Sequence, residues 1–597
     1  MLTSSLRFWF TLIVILWLGS FGSIAQTSTA ATRYETARKA ILDHPAFKRG
    51  DISWSFRDLE TGQELDAFQS NKLLIPASTV KLFTTGIALQ KLGNFYQFET
   101  KIMVDGEIKK HQLKGNLIVQ GSGDPSFGSG LAGAMPGDSV LFSILKVLQD
   151  SGITKIKGDL IIDPFILPYN ETVTPRNYIW EDIGNYYGAS AWGLNWRNNE
   201  FTIQFTPGKT NSDSTKATIT SRWATYLTLK NSIKNAYNIS REIYVFSAPF
   251  FQSVLVEGET LANSASFSER ASLPDPPLAF GKELKAYLEA NDIQIEGELK
   301  FESKRGAIWK IIYSPQLFEL IKETNFTSNN LFAEAIAKRI AFNQIGQSAN
   351  PTGDYLTKEL NAYKANADSA LQLTDGSGLS RNNQTCTSFQ SQFLRNQTKS
   401  SITAPYFIGS IPKVGEEGTM KNFPRIENMR AKSGSMNKVR AYAGYFYDKN
   451  NHQIAFSIIA NNAPLATLKQ KEMMIELLAS AAENKFELPF PYAFIGSYTD
   501  TINAFPEIIK LKNDLSKQSK DIREEDEWFN NKVDITYSGE PSIEQPYFTA
   551  KVMLSGKKEY QLKYTYRIHA QTRFAERWNS LKNEWEMICW GDIFMQK

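Results

Sequence analysis

Two changes of hydrophobic period along the chain limit how it can fold. Near the start, Ile52, Trp54 and Phe56 alternate with polar residues as in a strand, Thr61-Gly62 marks a hairpin turn, and Leu73 to Leu92 follows a helical period. From about Ile102 to Leu299 the pattern becomes short alternating runs bounded by Gly, Pro and Asn, such as Asn116 to Gln120, Asp159 to Asp163, Glu200 to Phe205 and Glu242 to Phe246. That is a long β-rich block. After Ser314-Pro315 the helical period returns in Leu317 to Ile321 and Leu331 to Ile340. An antiparallel hairpin is then predicted from Val439 to Tyr447 and Gln453 to Ala460 around Asp448-Lys449-Asn450-Asn451, followed by a helix from Leu468 to Ala482.

A β-rich block lodged between two α/β segments predicts an α+β multidomain chain, and 597 residues exceed what one core usually holds. Residues 26–101 and 300–487 are expected to form one domain and 102–299 an insertion within it. Inside the insertion, Leu145 to Leu160 resembles Leu284 to Leu299, each reading as helix, turn, then strand. Two such units fall short of a repeat architecture. The Pro-spaced stretch Leu488-Pro489-Phe490-Pro491 reads as a linker to an accessory α+β domain over 492–597, with a helix from Asn503 to Lys517 and strands at Lys551 to Leu554 and Tyr560 to His569.

The first 25 residues carry Arg7, an apolar run from Phe8 to Leu18 and a small-residue end at Ser23, Ile24, Ala25, which reads as a secretory signal peptide. The run is too short to span a membrane, for which about 20 residues are needed. The mature chain is expected near Gln26, exported to the periplasm or beyond, without a membrane span. Lys+Arg 66 against Asp+Glu 62 is too balanced to point to a nucleic acid. Cys386 and Cys589, with His44, His111, His452 and His569, have no metal-ligand spacing, so no metal or other cofactor is expected. In an oxidising compartment the two cysteines are free to pair only if their backbones approach, which sequence does not settle.

Three short patterns carry candidate chemistry. Ser78-Thr79-Val80-Lys81 opens a helix, where positions i and i+3 share a face, so the Lys81 amine reaches the Ser78 hydroxyl and a neutral lysine can act as its base. Ser328-Asn329-Asn330 precedes an apolar helix and is equally a helix cap. Lys432-Ser433-Gly434-Ser435 precedes the hairpin; glycine admits a ligand backbone and the lysine and hydroxyl suit a carboxylate, but an edge-strand lysine also guards against aggregation. Each alone has a structural explanation.

Together, and in this order, they form the signature of serine penicillin-binding proteins and β-lactamases. The chain resembles the low-molecular-mass penicillin-binding proteins with D-alanyl-D-alanine carboxypeptidase and endopeptidase activity, in the subgroup with a large insertion between the first two motifs; that interval is 250 residues here. Further matches are Leu113 to Pro125 (LKGNLIVQGSGDP), Trp180 to Ala189 (WEDIGNYYGA), Asp375 to Arg381 (DGSGLSR) and Gly415 to Met420 (GEEGTM). The resemblance covers roughly Arg33 to Lys485. It implies a β-lactamase/transpeptidase-like fold, an antiparallel sheet flanked by helices with a helical lobe, and a cleft between them.

It also implies roles. Ser78 is the acylated nucleophile and Lys81 its general base; Ser328 shuttles a proton toward the leaving group and Asn330 positions the peptide. Lys432 and Ser433 bind the terminal carboxylate, Gly434 lets the substrate approach, and the backbone amides of Ser78 and Ser435 form the oxyanion hole. Crowding by Lys432 in a partly buried cleft is expected to favour a neutral Lys81. Asp163 and Arg381 lie in segments associated with the diamino acid of the stem peptide, although IIDPFILP around Asp163 is shorter than the family pattern and also suits a turn. Ser433 stands where threonine is commoner, which keeps the hydroxyl. The implied partners are peptidoglycan stem peptides, with β-lactam antibiotics as covalent inhibitors. Two alternatives remain open from sequence: a β-lactamase with the same machinery, or a catalytically weak wall-binding or scaffold protein whose C-terminal tryptophans Trp528, Trp578, Trp585 and Trp590 stack on sugars.

Overall fold

The structure, a computed structural model, describes residues 32–486 except 171–172, 238, 240, 347–351 and 362–370, together with five strand backbones between 532 and 588. The signal peptide, the linker at 488–491, the helix expected at 503–517, Trp528, Cys589 and Trp590 lie outside the described residues.

The alternation in Asp51–Asp58 does build a strand, but both of its faces are buried. Ile52, Trp54 and Phe56 enter a core shared with Tyr34, Met474 and Leu478 from the helices Arg33–Asp43 and Thr467–Ala482. Ser53 and Ser55 face the helix Thr387–Gln397, where Ser53 Oγ meets Thr387 Oγ1 at 2.7 Å and Ser55 Oγ meets Ser391 Oγ at 2.8 Å. Small hydroxyls that satisfy one another let helix and strand pack closely without stranding polar atoms. The strand is part of a five-stranded antiparallel sheet in the order Arg430–Met436, Val439–Tyr447, Gln453–Asn461, Asp51–Asp58, Glu64–Phe68. The hairpin read from the sequence is its centre, and the Lys432 strand is its edge.

Beside the sheet lies the helical lobe, built on Val80–Leu92, Leu317–Phe326 and Asn330–Ile345. Every residue from Val80 to Leu89 is buried, so the first of these is a central helix rather than a surface one. It begins later than the period from Leu73 predicts. Leu74 is instead bridged to Thr385, and Pro76 biases the residue before it away from helical backbone, so regular turns start only at Ala77.

The β-rich block is wider than 102–299. Glu99–Lys109 pairs antiparallel with Ala307–Tyr313, so one seven-stranded sheet closes the block at both ends. The two similar units are partners in that sheet. The helix Gly137–Asp150 leads to strands Lys155–Ile156 and Leu160–Asp163, and the helix Pro276–Glu289 to Gln294–Ile295 and Leu299–Phe301. Gln294 pairs in parallel with Lys155, and Leu299 with Leu160. Two three-stranded sheets complete the block. The last strands, Lys532–Ser538 to Glu584–Ile588, form an antiparallel five-stranded sheet in chain order, in which Trp578 and Trp585 are opposite positions. Among the described residues no helix is long and apolar enough to cross a membrane.

Candidate active site

Ser78 sits in a single 3₁₀ turn, Ala77–Thr79, that runs into the central helix. Ala77 is fully buried and held at φ 47°, a left-handed conformation costly for a residue with a Cβ. The turn is pinned by the Thr79 hydroxyl donating to Pro76 O at 2.9 Å and by the edge strand alongside. One turn on, Lys81 is wholly buried, and its Nζ lies 2.9 Å from Ser78 Oγ, 2.5 Å from Asn330 Oδ1 and 2.7 Å from Ser377 O. A neutral amine has two hydrogens and one lone pair. Two hydrogens for Asn330 and Ser377 leave the lone pair facing the Ser78 proton, which is the arrangement of a general base.

Burial pulls the Lys81 pKa down to about 7, against the opposing pull of the Asp375 and Glu334 carboxylates. Of the two expected causes, it is burial rather than crowding by Lys432 that lowers Lys81. The influence between the two lysines falls on Lys432, which burial and then Lys81 hold well below an ordinary lysine. Asp375 and Glu334 are fully buried beneath the cleft. Asp375 accepts from the amides of Gly378 and Ser380 at 2.8 and 2.6 Å, while Glu334 Oε1 accepts from Gly376 N at 2.9 Å. The two carboxylates thereby shape the turn whose Ser377 carbonyl holds Lys81. Burial raises both, Glu334 to about 7.

The second motif divides its labour differently from expectation. Asn329, not Ser328, caps the helix Asn330–Ile345, with its Oδ1 accepting from Phe332 N at 3.2 Å, and its Nδ2 donates to Asn198 Oδ1 at 3.0 Å. Ser328 stands just ahead at φ 60° and turns its hydroxyl to Lys432 Nζ, 2.9 Å away. Asn330 spends one amide hydrogen on Tyr187 O, 2.7 Å away, and the second has no acceptor among the described residues.

Lys432 also departs from expectation. It is completely buried, and its Nζ is committed to Ser328 Oγ and, at 2.7 Å, to Ser433 O, so it holds the Ser328 hydroxyl rather than facing the cleft as a free cation. The accessible groups of this motif are the Ser433 hydroxyl, 2.9 Å from Thr419 Oγ1, and the exposed Ser435. Gly434 is needed for proximity, since a Cβ there would lie 2.7 Å from Pro76 O and 3.1 Å from Ser78 N.

Ser78, Lys81, Ser328, Asn330 and the Lys432 to Ser435 strand therefore converge. Asp163 does not join them. It is buried, with its carboxylate accepting from Gln120 Nε2 at 2.8 Å, Ser303 Oγ at 3.3 Å and Phe165 N at 3.1 Å, which is the turn role. Arg381 is exposed and acts electrostatically on Asp182 of the insertion. Cys386 is buried and its Sγ accepts from Phe389 N at 3.4 Å.

Role assignment from motifs alone passed over several participants. The insertion reaches the Asn330 helix through Tyr187 O, through Tyr178 OH at 3.4 Å from Glu334 Oε1, and through Val173 O and Ala191 O, which accept from Lys338 Nζ at 2.6 and 2.8 Å; Tyr178 OH also lies 3.0 Å from Ser377 Oγ. The signal was present: the WEDIGNYYGA, DGSGLSR and GEEGTM segments supply Tyr187, Ser377 and Thr419.

Compared with known proteins, residues 35–484 match the model of the D-Ala-D-Ala carboxypeptidase 3 (S13) family. The chain is 23% identical over 474 residues to D-alanyl-D-alanine carboxypeptidase DacB of Haemophilus influenzae, covering 76% of this chain and 94% of that protein. It is 26% identical over 476 residues to a D-alanyl-D-alanine carboxypeptidase of Actinomadura, covering 75% and 86%. Among solved structures, penicillin binding protein 4 of Haemophilus influenzae superposes with a TM-score of 0.61 at 22% identity, over 72% of this chain and 96% of that one. The likeness in fold is to that protein's transpeptidase-like architecture.

Proposed function

The chain belongs to the D-Ala-D-Ala carboxypeptidase 3 (S13) family, and we propose that this serine DD-peptidase cleaves the D-Ala-D-Ala end, or a D-Ala cross-link, of peptidoglycan stem peptides through an acyl-enzyme on Ser78. The position of Lys81 carries this reading. Its amine, fully buried and tied to Ser78, Asn330 and Ser377, can do little except exchange a proton with the Ser78 hydroxyl.

In acylation, Ser78 Oγ gives its proton to Lys81 Nζ and bonds to the carbonyl carbon of the penultimate D-alanine. The tetrahedral oxyanion faces the backbone amides of Ser78 and Ser435, brought together by the close approach at Gly434. The C–N bond breaks as the proton taken up by Lys81 is relayed through Ser328, held by Lys432, to the departing nitrogen, which leaves Lys81 neutral again. Water then attacks the ester carbonyl and gives a proton to Lys81, which returns it to Ser78 Oγ as the ester C–O bond breaks. The free amide hydrogen of Asn330 orients the peptide, and Ser433 with Thr419 offers hydroxyls to the terminal carboxylate. A β-lactam presents the same carbonyl and carboxylate and forms the same ester. The Arg7 to Ala25 pattern supports export, which brings the enzyme to the wall it acts on.

The test is labelling of Gln26 to Lys597 by a fluorescent penicillin beside Ser78→Ala. An adduct on the Ser78 peptide, lost in the variant, is expected; a folded wild-type protein that takes no label overturns the proposal.

A further inference from the structure

The third motif, as built, lacks an obvious cation for the substrate's carboxylate. A C-terminal D-alanine ends in a fixed negative charge, as does the thiazolidine carboxylate of a penicillin, and charge-assisted hydrogen bonds are the strong means of holding such a group. Lys432 is out of reach of solvent and already donates to Ser328 and to Ser433 O. Ser433 and Thr419 contribute hydroxyls only.

A cation stands on the neighbouring strand. Arg440 is on the strand Val439–Tyr447, directly opposite Ser435 of the edge strand. Paired residues in an antiparallel sheet share a face, so Ser433, Ser435, Arg440 and Tyr442 are on one side of the sheet and Lys432 and Gly434 on the other. Ser433 and Ser435 are two residues apart on that face, roughly 7 Å along the strand. Arg440 Nη1 donates to Ser435 Oγ, which fixes the guanidinium beside the residue whose amide the proposed mechanism assigns to the oxyanion hole. Arg440 has no carboxylate partner among the described residues, and its Nε is buried with no hydrogen-bond acceptor among them. An arginine held in place by a hydroxyl, on the same face of the sheet as Ser433 and without a carboxylate partner among the described residues, is poised for an anion that arrives with the substrate.

We propose that Arg440 binds the C-terminal carboxylate of the substrate, between its guanidinium and the Ser433 and Thr419 hydroxyls, and so selects for chains ending in a free acid. This deepens the DD-peptidase reading and rests on it. It also gives Lys432 and Arg440 separate tasks. The buried lysine, which burial and Lys81 hold well below its ordinary pKa, orients Ser328; the guanidinium, whose planar fork matches a carboxylate, meets the substrate's terminal acid.

The experiment compares the mature enzyme with Arg440→Gln and Arg440→Lys on a peptide ending in D-Ala-D-Ala and on the same peptide ending in a carboxamide. Arg440→Gln is expected to lower kcat/KM for the free acid by about 10- to 100-fold, mainly through KM, as loss of a charge-assisted contact does, and to leave the amide within about twofold. Arg440→Lys should recover part of the loss. Penicillin acylation of Arg440→Gln should slow by a similar factor, since the antibiotic carries the matching carboxylate. Equal losses on acid and amide, or no loss on either, with Ser78 still labelled in the wild type, overturn this inference alone. A wild-type protein in which penicillin fails to label Ser78 overturns the DD-peptidase reading and the inference together. A thermal melt of each variant beside the wild type shows whether a loss comes from unfolding; if Arg440→Gln melts early, the acid-to-amide ratio of Arg440→Lys decides.

Discussion

Gly434 and Ser78 meet backbone to backbone: a Cβ on Gly434 would fall 3.1 Å from the Ser78 amide nitrogen and 2.7 Å from the carbonyl oxygen of Pro76. Real Cβ atoms do not settle that close to a fixed backbone carbonyl, so Gly434→Ala must push the edge strand and the Ser78 turn apart. Misplacement of about 1 Å costs on the order of 100-fold in rate. The variant is expected to melt within a few degrees of the wild type and to be acylated by penicillin at least about 10-fold more slowly. Normal acylation would show that the turn can move without consequence.

The acid limb of acylation reports Lys81. The lysine must be neutral to accept the Ser78 proton, and its pKa is drawn down to about 7 by burial. Acylation is therefore expected to rise tenfold per pH unit below about 7 and to level off above it. Lys81→Ala should lose the limb together with the rate. A limb centred near pH 10 would mean that the cleft is wetter than its packing indicates.

Asn329→Ala and Ser328→Ala should separate a cap from a proton carrier. Asn329 caps the helix that bears Asn330 and also binds Asn198 of the insertion, so its loss should cost about 1 kcal/mol, read as a lower urea midpoint. Ser328 carries no cap, and its hydroxyl meets Lys432. Its replacement should leave the midpoint nearly unchanged and lower kcat. The reverse pattern would assign the cap to Ser328.

Stability should climb with pH between about 8 and 10. Burial pulls Lys81 down to about 7 and Lys338 to about 8, and holds Lys432 well below its ordinary value. In that window the unfolded chain holds protons on these lysines that the folded chain has released. Unfolding then takes up protons, and the more alkaline solution disfavours it. Urea midpoints at pH 8 and pH 9.5 measure the slope. A falling midpoint would mean that the buried lysines stay charged in the folded protein.

Some of this molecule was written locally. Ser78 and Lys81 are three apart on a helix, Lys432 to Ser435 lie on one strand, and the hairpin of Val439–Tyr447 and Gln453–Asn461 follows from alternation around a turn. Such features depend on neighbours within a few residues, which is why period and spacing reveal them. The α+β architecture with its inserted block was legible for the same reason. Where that block ends was not, because the strand Ala307–Tyr313 is bound to it by pairing with Glu99–Lys109, some two hundred residues earlier.

Depth and partnership came from the tertiary structure. Spacing alone brings Lys81 to Ser78, but nothing within its own motif tells which hydroxyl Lys432 meets, and the fold commits it to Ser328. Ser328 and Asn329 are adjacent and both suited to capping, and only the backbone at φ 60° decides that the cap is Asn329. Asp163 lies in a family-like segment, but its hydrogen bonds are spent on Gln120, Ser303 and Phe165. Arg440 looks like any strand arginine until its register places it against Ser435. The sequence by itself determined which residue types carry the chemistry, because their spacing acts over one turn of helix or one stretch of strand. The tertiary structure decided what each of them does, because burial, pKa and hydrogen-bond partners depend on groups hundreds of residues away.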